Sequence, residues 1–299
     1  MNLHRLGIII SEDILKSLNM RYASVPFAKQ LHGSEYRIFF SSRDRYNQSF
    51  GSYLDYDFDK FEITTFPPTN PIITHGNRGY FDDSGVTMSC YLKELNAIYY
   101  MGWNLMKKVP FSNQIGKFEL HSDKATIKRS RSTPVLGKCE LEPLSFGYPW
   151  ILSVKDHYKM WYDTILEWKS NSTSNYKFIL RSALSNDGVH WHKTYEQNFP
   201  LIGKEKSIAR PCIIHEGGIF KMWCSVNYSG KYRICYAESK DGDNWKRMDD
   251  CIRWHGKKQH WESEEQSYPF LIQNNNSKFL LYNGNEFGKS GFGLCHLEI

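Results

Sequence analysis

The chain has 299 residues, 40% of them hydrophobic and 15% aromatic, which supplies a full core and excludes a disordered chain. Net charge is +6 with the basic residues scattered, so no nucleic-acid partner is expected, whereas an anionic ligand such as a phosphate or an acidic sugar suits the balance. Seven cysteines, odd in number and without a C-x-x-C pair, argue against a disulfide framework or a Cys-based zinc site; with no membrane-length apolar run or signal core, the expectation is a cytoplasmic protein with no membrane partner.

Taken in order, Leu6–Ile10 reads as a short strand and Ser11–Leu18 as a helical turn, capped by Ser11 with Glu12 and Asp13 in its first turn. This segment is expected to add a strand to the last structural unit. A repeat then begins. Residues 22–66 carry Tyr36-Arg37-Ile38-Phe39-Phe40-Ser41-Ser42 followed by an alternating strand, Phe50–Phe58. Residues 79–130 carry Ala97–Asn104, then Ile115–Ser122 closed by Ser122-Asp123-Lys124. Residues 133–196 carry HYKMWYDTILEW (157–168) and YKFILRSALSNDGVHW (176–191). Residues 199–250 repeat the phrase as IFKMWCSVN (219–227), YRICYAES (232–239) and KDGDNW (240–245), and 251–299 end it with FLLYNGN (279–285). Aligning Phe39, Tyr99, Trp161, Trp223 and Leu281 gives steps of 60, 62, 62 and 58 residues by subtraction. A strand-built period of that size predicts an all-β, five-bladed β-propeller of four-stranded antiparallel blades, filling the chain as one domain.

The Ser-x-Asp-Gly-x-x-Trp segments at 185–191 and 239–245 read as tight hairpin turns, with the tryptophan folded back as a plug. The runs Lys124-Lys128-Arg129-Arg131 and Lys257-Lys258 read as solvated loop charge. His190 and His192 lack the acid or cysteine that would complete a metal set, and no phosphate loop or nucleophile elbow is present, so no cofactor or metal is expected.

A second repeat precedes each main phrase: Tyr148-Pro149, Arg210-Pro211 and Tyr268-Pro269 each open an apolar strand, with Ser84–Leu92 the counterpart in the second blade. These are the expected innermost strands, with proline near a strand start. The loops leading into them hold acids, among them Asp82, Asp83, Glu205, Glu264 and Glu265. Asp83 and Glu264 occupy equivalent places on different blades. Carboxylates from separate blades meeting at one pocket are what glycosyl transfer needs, one as acid and one as base or nucleophile; the alternative is that each is solvated or paired locally. Arg43, beside Asp44, is placed to clamp a carboxylate or phosphate, unless the two pair with each other. Trp103, Asn104, Trp168, Asn283 and Asn285 end second strands and supply the rings and amides of a sugar site. Trp161 and Trp223 alternate as core.

FFSSRD (39–44), FDDSG (81–85), YYMGWN (99–104), MWYDTILEW (160–168), ARP (209–211) and YNGNEFGKSGFGLCHLE (282–298), with the two Asp-Gly-Trp turns, resemble the five-bladed β-propeller glycosidase-like superfamily. That group includes β-fructosidases, arabinanases and β-mannoside phosphorylases, and the similarity extends to glycosidase-related proteins of bacterial surface-polysaccharide gene clusters. The resemblance implies a glycosidase-like enzyme acting on a nucleotide-activated or anionic sugar. Asp83 or Asp82 would be base or nucleophile and Glu264 or Glu265 the acid, while Arg43 and Arg210 hold the anionic part. The pattern departs at Tyr22–Phe27, which carries no acid, and at Ala209-Arg210-Pro211, which is not Arg-Asp-Pro. A second expectation follows: a non-catalytic sugar-binding propeller that presents substrate to a partner glycosyltransferase or formyltransferase.

Overall fold

The computed structural model describes residues 1–121, 126–129, 131–168, 176–196 and 199–298. The expected closing turn Ser122-Asp123-Lys124 lies outside them. The strands are β1 (Asn2–Ser11), β2 (Ser24–His32), β3 (Glu35–Arg43), β4 (Ser49–Asp57), β5 (Glu62–Thr65), β6 (Gly85–Leu92), β7 (Ala97–Leu105), β8 (Phe111–His121) and β9 (Thr126–Arg129). They continue with β10 (Phe146–Val154), β11 (His157–Trp168), β12 (Tyr176–Ser185), β13 (His192–Lys193), β14 (Glu205–Glu216), β15 (Ile219–Tyr228), β16 (Lys231–Ser239) and β17 (Lys246–Arg247). The last are β18 (Arg253–His255), β19 (Ser267–Asn274), β20 (Ser277–Asn283) and β21 (Gly291–Glu298). Two short helices, Glu12–Ser17 and Asn285–Gly288, interrupt them. Ser11 caps the first by accepting the Ile14 amide.

Two repeats form separate four-stranded antiparallel sheets, β10-β11-β12-β13 and β14-β15-β16-β17. The first two repeats share one sheet only through a single parallel pairing of Ser49 with Gly85. In the last sheet, ordered β18-β1-β21-β20-β19, β1 pairs antiparallel with β21. The first strand of each repeat packs on that of the next: β2 on β6, β6 on β10, β10 on β14, β14 on β19, and β19 back on β2. These strands therefore enclose a central channel.

The five aligned residues Phe39, Tyr99, Trp161, Trp223 and Leu281 each fall mid-way along a repeat's second strand and are fully buried. The two Asp-Gly turns close their hairpins as expected. Asp187 accepts the amides of Val189 and His190, and Ser185 accepts that of Gly188. Their tryptophans, however, reach the neighbouring repeat: Trp191 stands edge-on to Tyr99 and Trp245 to Trp161. The Tyr99 hydroxyl donates to the Gly188 carbonyl at 2.6 Å, and the Trp161 indole to that of Gly242 at 2.8 Å. Each turn is thus a latch between repeats.

The prolines are not at strand starts. Pro26, Pro149, Pro211 and Pro269 sit inside first strands, where the ladder slips between Ser24 and Phe27, Gly147 and Trp150, Ala209 and Cys212, and Ser267 and Phe270. A bulge tolerates the missing N–H and turns the preceding residue out of the ladder. Val25, Tyr148, Arg210 and Tyr268, each immediately before its proline, all have positive φ. Four strained residues at equivalent places point to a site.

Candidate functional site

The ring is tied together at these bulges. Two residues beyond each aligned core residue lies Ser41, Met101, Asp163, Ser225 or Asn283, paired across the ladder with Ser24, Thr87, Gly147, Ala209 or Ser267. Ser41 accepts the Met88 amide at 2.8 Å, Ser225 the Tyr268 amide at 2.7 Å, and Asn283 the Val25 amide at 2.8 Å. Each bond joins one repeat's second strand to the next repeat's first strand. Asn283 joins the last repeat to the first.

Where the bulges and strand ends meet lies a partly open cavity of about 410 Å³. This is the size of an ordinary small-molecule site. All the repeats contribute to its lining. Tyr148, Tyr176, Tyr232 and Tyr268 form its deep wall, with the Tyr148 and Tyr268 hydroxyls 3.1 Å apart. Burial raises the pKa of all four phenols, so they remain protonated hydrogen-bond donors. Trp103, Phe111, Tyr22 and Phe287 supply flat apolar faces, and Ser41, Ser42, Thr87, Asn47 and Asn113 supply small polar groups.

Among the described residues, Arg43 is the one charged side chain in this lining. Its guanidinium lies between the rings of Tyr22 and Trp103, 5.3 and 5.6 Å from their centroids, and donates to Asn47 at 2.9 Å. The expected alternative, an Arg43–Asp44 pair, is not formed. Asp44 instead accepts the amides of Tyr46 and Gln48 and shapes the turn. Arg43 keeps donors for a ligand.

No aspartate or glutamate lines the cavity among the described residues. Asp82 is fully buried, paired with Arg129 and accepting the Tyr100 hydroxyl at 2.8 Å. Arg129 is therefore an ion-pair partner rather than solvated loop charge. Asp83 accepts from Asn104 at 2.6 Å, Gly79 and Ser84. Burial raises its pKa, but these bonds outweigh it and hold the carboxyl below its ordinary value. Glu264 is exposed and paired with Lys231, which lowers its pKa. Glu265 is buried and accepts the amides of Tyr232 and Glu286 at 3.0 and 2.9 Å. The four carboxylates thus sit in loops or repeat junctions, each with partners of its own.

The remaining expected binding residues divide similarly. Trp103 lines the cavity and donates to Ser49 at 2.7 Å. Trp168 stands edge-on to the lining rings of Phe111 and Tyr176. Asn104 bridges Asp83 and the Tyr80 carbonyl, Glu205 pairs with Arg247, and Asn285 caps the amides of Glu264 and Glu265. Asn283 serves ring closure. Arg210 is fully buried, donating to the Pro26 carbonyl at 3.0 Å over the rings of Trp150 and Phe270. The tyrosine wall was signalled in sequence at Tyr148 and Tyr268, by the proline after each. Tyr176 and Tyr232 begin third strands and carry no such mark.

No family model matches the chain. Two curated relatives do, both from Mycobacterium tuberculosis: Uncharacterized protein MT1551 (strain CDC 1551 / Oshkosh) and Uncharacterized protein Rv1502 (strain ATCC 25618 / H37Rv). Each is 32% identical over 297 residues, covering 98% of both proteins. Among solved structures, one described as a BT0996 RGII complex matches with a TM-score of 0.74 at 14% identity, over 98% of this protein and 90% of that one. A structure described as a glycoside hydrolase matches at 0.71 and 13%, over 96% and 94%. One from the GH130 family of mannoside phosphorylases, said to contain glycoside hydrolases that target beta-1,2 mannosidic linkages in Candida mannan, matches at 0.70 and 13%, over 99% and 93%. The chain therefore belongs to one family with the two mycobacterial proteins, and its fold is that of the glycosidase-like β-propellers.

Proposed function

We propose that this chain is a single-domain, five-bladed propeller whose central cavity takes a carbohydrate bearing an anionic group, a nucleotide-activated sugar or an acidic glycan, in cell-surface polysaccharide biosynthesis. The observation that carries this reading is Arg43, held between Tyr22 and Trp103 with spare donors in a cavity of rings, hydroxyls and amides. Pyranose faces stack on such rings, and a guanidinium gives a carboxylate or phosphate two-point binding. The lack of a lining carboxylate among the described residues favours binding and presentation to a partner enzyme. The fold's likeness to glycoside hydrolases supports the second reading, two-carboxylate cleavage by Asp83 or Asp82 with Glu264 or Glu265.

The test is calorimetric titration and product analysis with neutral disaccharides, uronate-terminated disaccharides, hexose phosphates and nucleotide sugars. Binding of acidic members is expected, weakened about 10- to 100-fold by Arg43→Gln, the worth of a charge-assisted hydrogen bond. Turnover abolished by both Asp83→Asn and Glu264→Gln would establish cleavage. Equal affinity for neutral and acidic members, unchanged by Arg43→Gln, would overturn the anionic reading.

A further inference from the structure

Among the five equivalent positions Ser41, Met101, Asp163, Ser225 and Asn283, only the third is an acid. At Ser41, Ser225 and Asn283 a neutral oxygen accepts an amide from the next repeat, while the Met101 side chain offers no oxygen at all. An asparagine at 163 would offer such an oxygen as Asn283 does. Aspartate adds only a charge or a proton, at a site that is fully buried.

Its surroundings do not offset the cost of burying that charge. Neither Asp163 oxygen has a hydrogen-bond partner among the described residues, and neither have Nε and Nη1 of Arg210 nearby. Across the ladder stands Gly147, where a Cβ would lie 3.1 Å from Oδ2 and 3.5 Å from the sulfur of Met101, a cavity-wall residue. The carboxyl thus lies just behind the cavity wall. The titratable and charged groups facing it are Arg210 from β14, Tyr148 from β10, Tyr176 from β12 and Tyr232 from β16; the three tyrosines line the cavity. Burial drives the Asp163 carboxyl well above the ordinary carboxylate range; the backbone amides of Asp163 and Arg210 and the Arg210 guanidinium pull the other way without offsetting it.

We propose that Asp163 is a specificity-determining residue that carries a proton beneath the cavity floor, leaving the Arg210 charge uncompensated so that the cavity admits an anionic saccharide. The ligand class rests on the function proposed above; the proton does not. While the carboxyl is neutral, Arg43 and Arg210 set the sign of the field. Once it ionises, a negative charge lies behind the tyrosine wall and opposes the same ligand. Affinity for anionic sugars is therefore full below the folded pKa of Asp163 and falls as pH rises through it. Affinity for neutral sugars does not follow.

The experiment has two arms on the full chain, wild type and Asp163→Asn, which keeps an amide oxygen in place. In the first, carbon-13 carboxyl NMR follows the aspartates from pH 4 to 9, with the variant assigning Asp163. A resonance that stays protonated beyond the ordinary range and vanishes in the variant is expected; titration in the ordinary range overturns the proposal. In the second, glucuronic acid and glucose 1-phosphate are titrated across the same range, with methyl glucoside as the neutral control. Wild-type affinity for glucuronic acid is expected to fall about tenfold per pK unit of coupling between ligand charge and Asp163, with a flat profile in the variant; for glucose 1-phosphate, whose second ionisation lies at about pH 6, the fall is read as the difference between wild type and variant. Parallel profiles in the two proteins overturn the proposal. If no probe binds wild type, the carbohydrate reading fails, while the first arm still decides the proton.

Discussion

Asp82 and Arg129 are 47 residues apart, and the carboxylate of the pair is wholly buried. Removing one partner leaves the other charge in the protein interior, a loss larger than any net gain from forming the pair. Arg129→Met is expected to destabilise the fold by about 3–5 kcal/mol, and the double change Asp82→Asn with Arg129→Met by clearly less. Urea unfolding of the single and double variants checks this. The same pair shows why acids mislead a reader of sequence. Their placement before the first strands was legible from the repeat, but their partners were not. Glu265 meets the amide of Tyr232 33 positions upstream, and no periodicity announces it. Asp163 was hidden in the opposite way, inside the core phrase MWYD, where alternation reads every residue as packing. Its raised pKa has a stability consequence as well. The contribution of this position is complete below the ordinary carboxylate range and is lost as pH rises through the folded value. Asp163→Asn should raise the melting temperature most at high pH and hardly at all at pH 4.

At the scale of elements, the Asp-Gly latch separates backbone strain from collision. Gly188 has φ +69°, and a Cβ there would run into Leu95 and the Tyr99 hydroxyl of the preceding repeat. Gly33 has φ +51° with nothing within 4 Å. Gly33→Ala is expected to cost about 1 kcal/mol, the backbone term alone, whereas Gly188→Ala should cost at least about 2–3 kcal/mol because the latch must open. Denaturant unfolding of both variants separates the two contributions. The turns themselves were legible because Ser-x-Asp-Gly encodes its own local hydrogen bonds. Where Trp191 and Trp245 point was not, since that depends on which repeat lies alongside. The bulges were half-legible: proline marked three of the first strands in sequence and Pro26 joined them only in the structure, and the positive φ of the residue before each followed from a ladder slip that sequence does not display.

At the scale of the whole molecule, the fold was the most legible feature, because an interval of about sixty residues forces every aligned core residue into the same place in its sheet. The cavity was less so, since its wall is assembled from single residues of every repeat. Asn283 accepts the Val25 amide and donates to the carbonyls of Ala23 and Gly291, all buried. Asn283→Ala is expected to cost roughly 3 kcal/mol by leaving these groups unmet. Asn227→Ala, at a side chain that accepts the exposed Gly230 amide, should cost under about 1 kcal/mol. Thermal unfolding of the two distinguishes a ring held at its seam from one held evenly.

The pairing of β1 with β21 also orders events in time. The side chains of His4 and Glu298, which meet across it, are 294 positions apart. During synthesis β1 is among the first strands to leave the ribosome and among the last to gain a partner. For that interval its edge is an open template for any other unpaired strand. Nascent chains halted before β21 should therefore be the most aggregation-prone species this protein passes through.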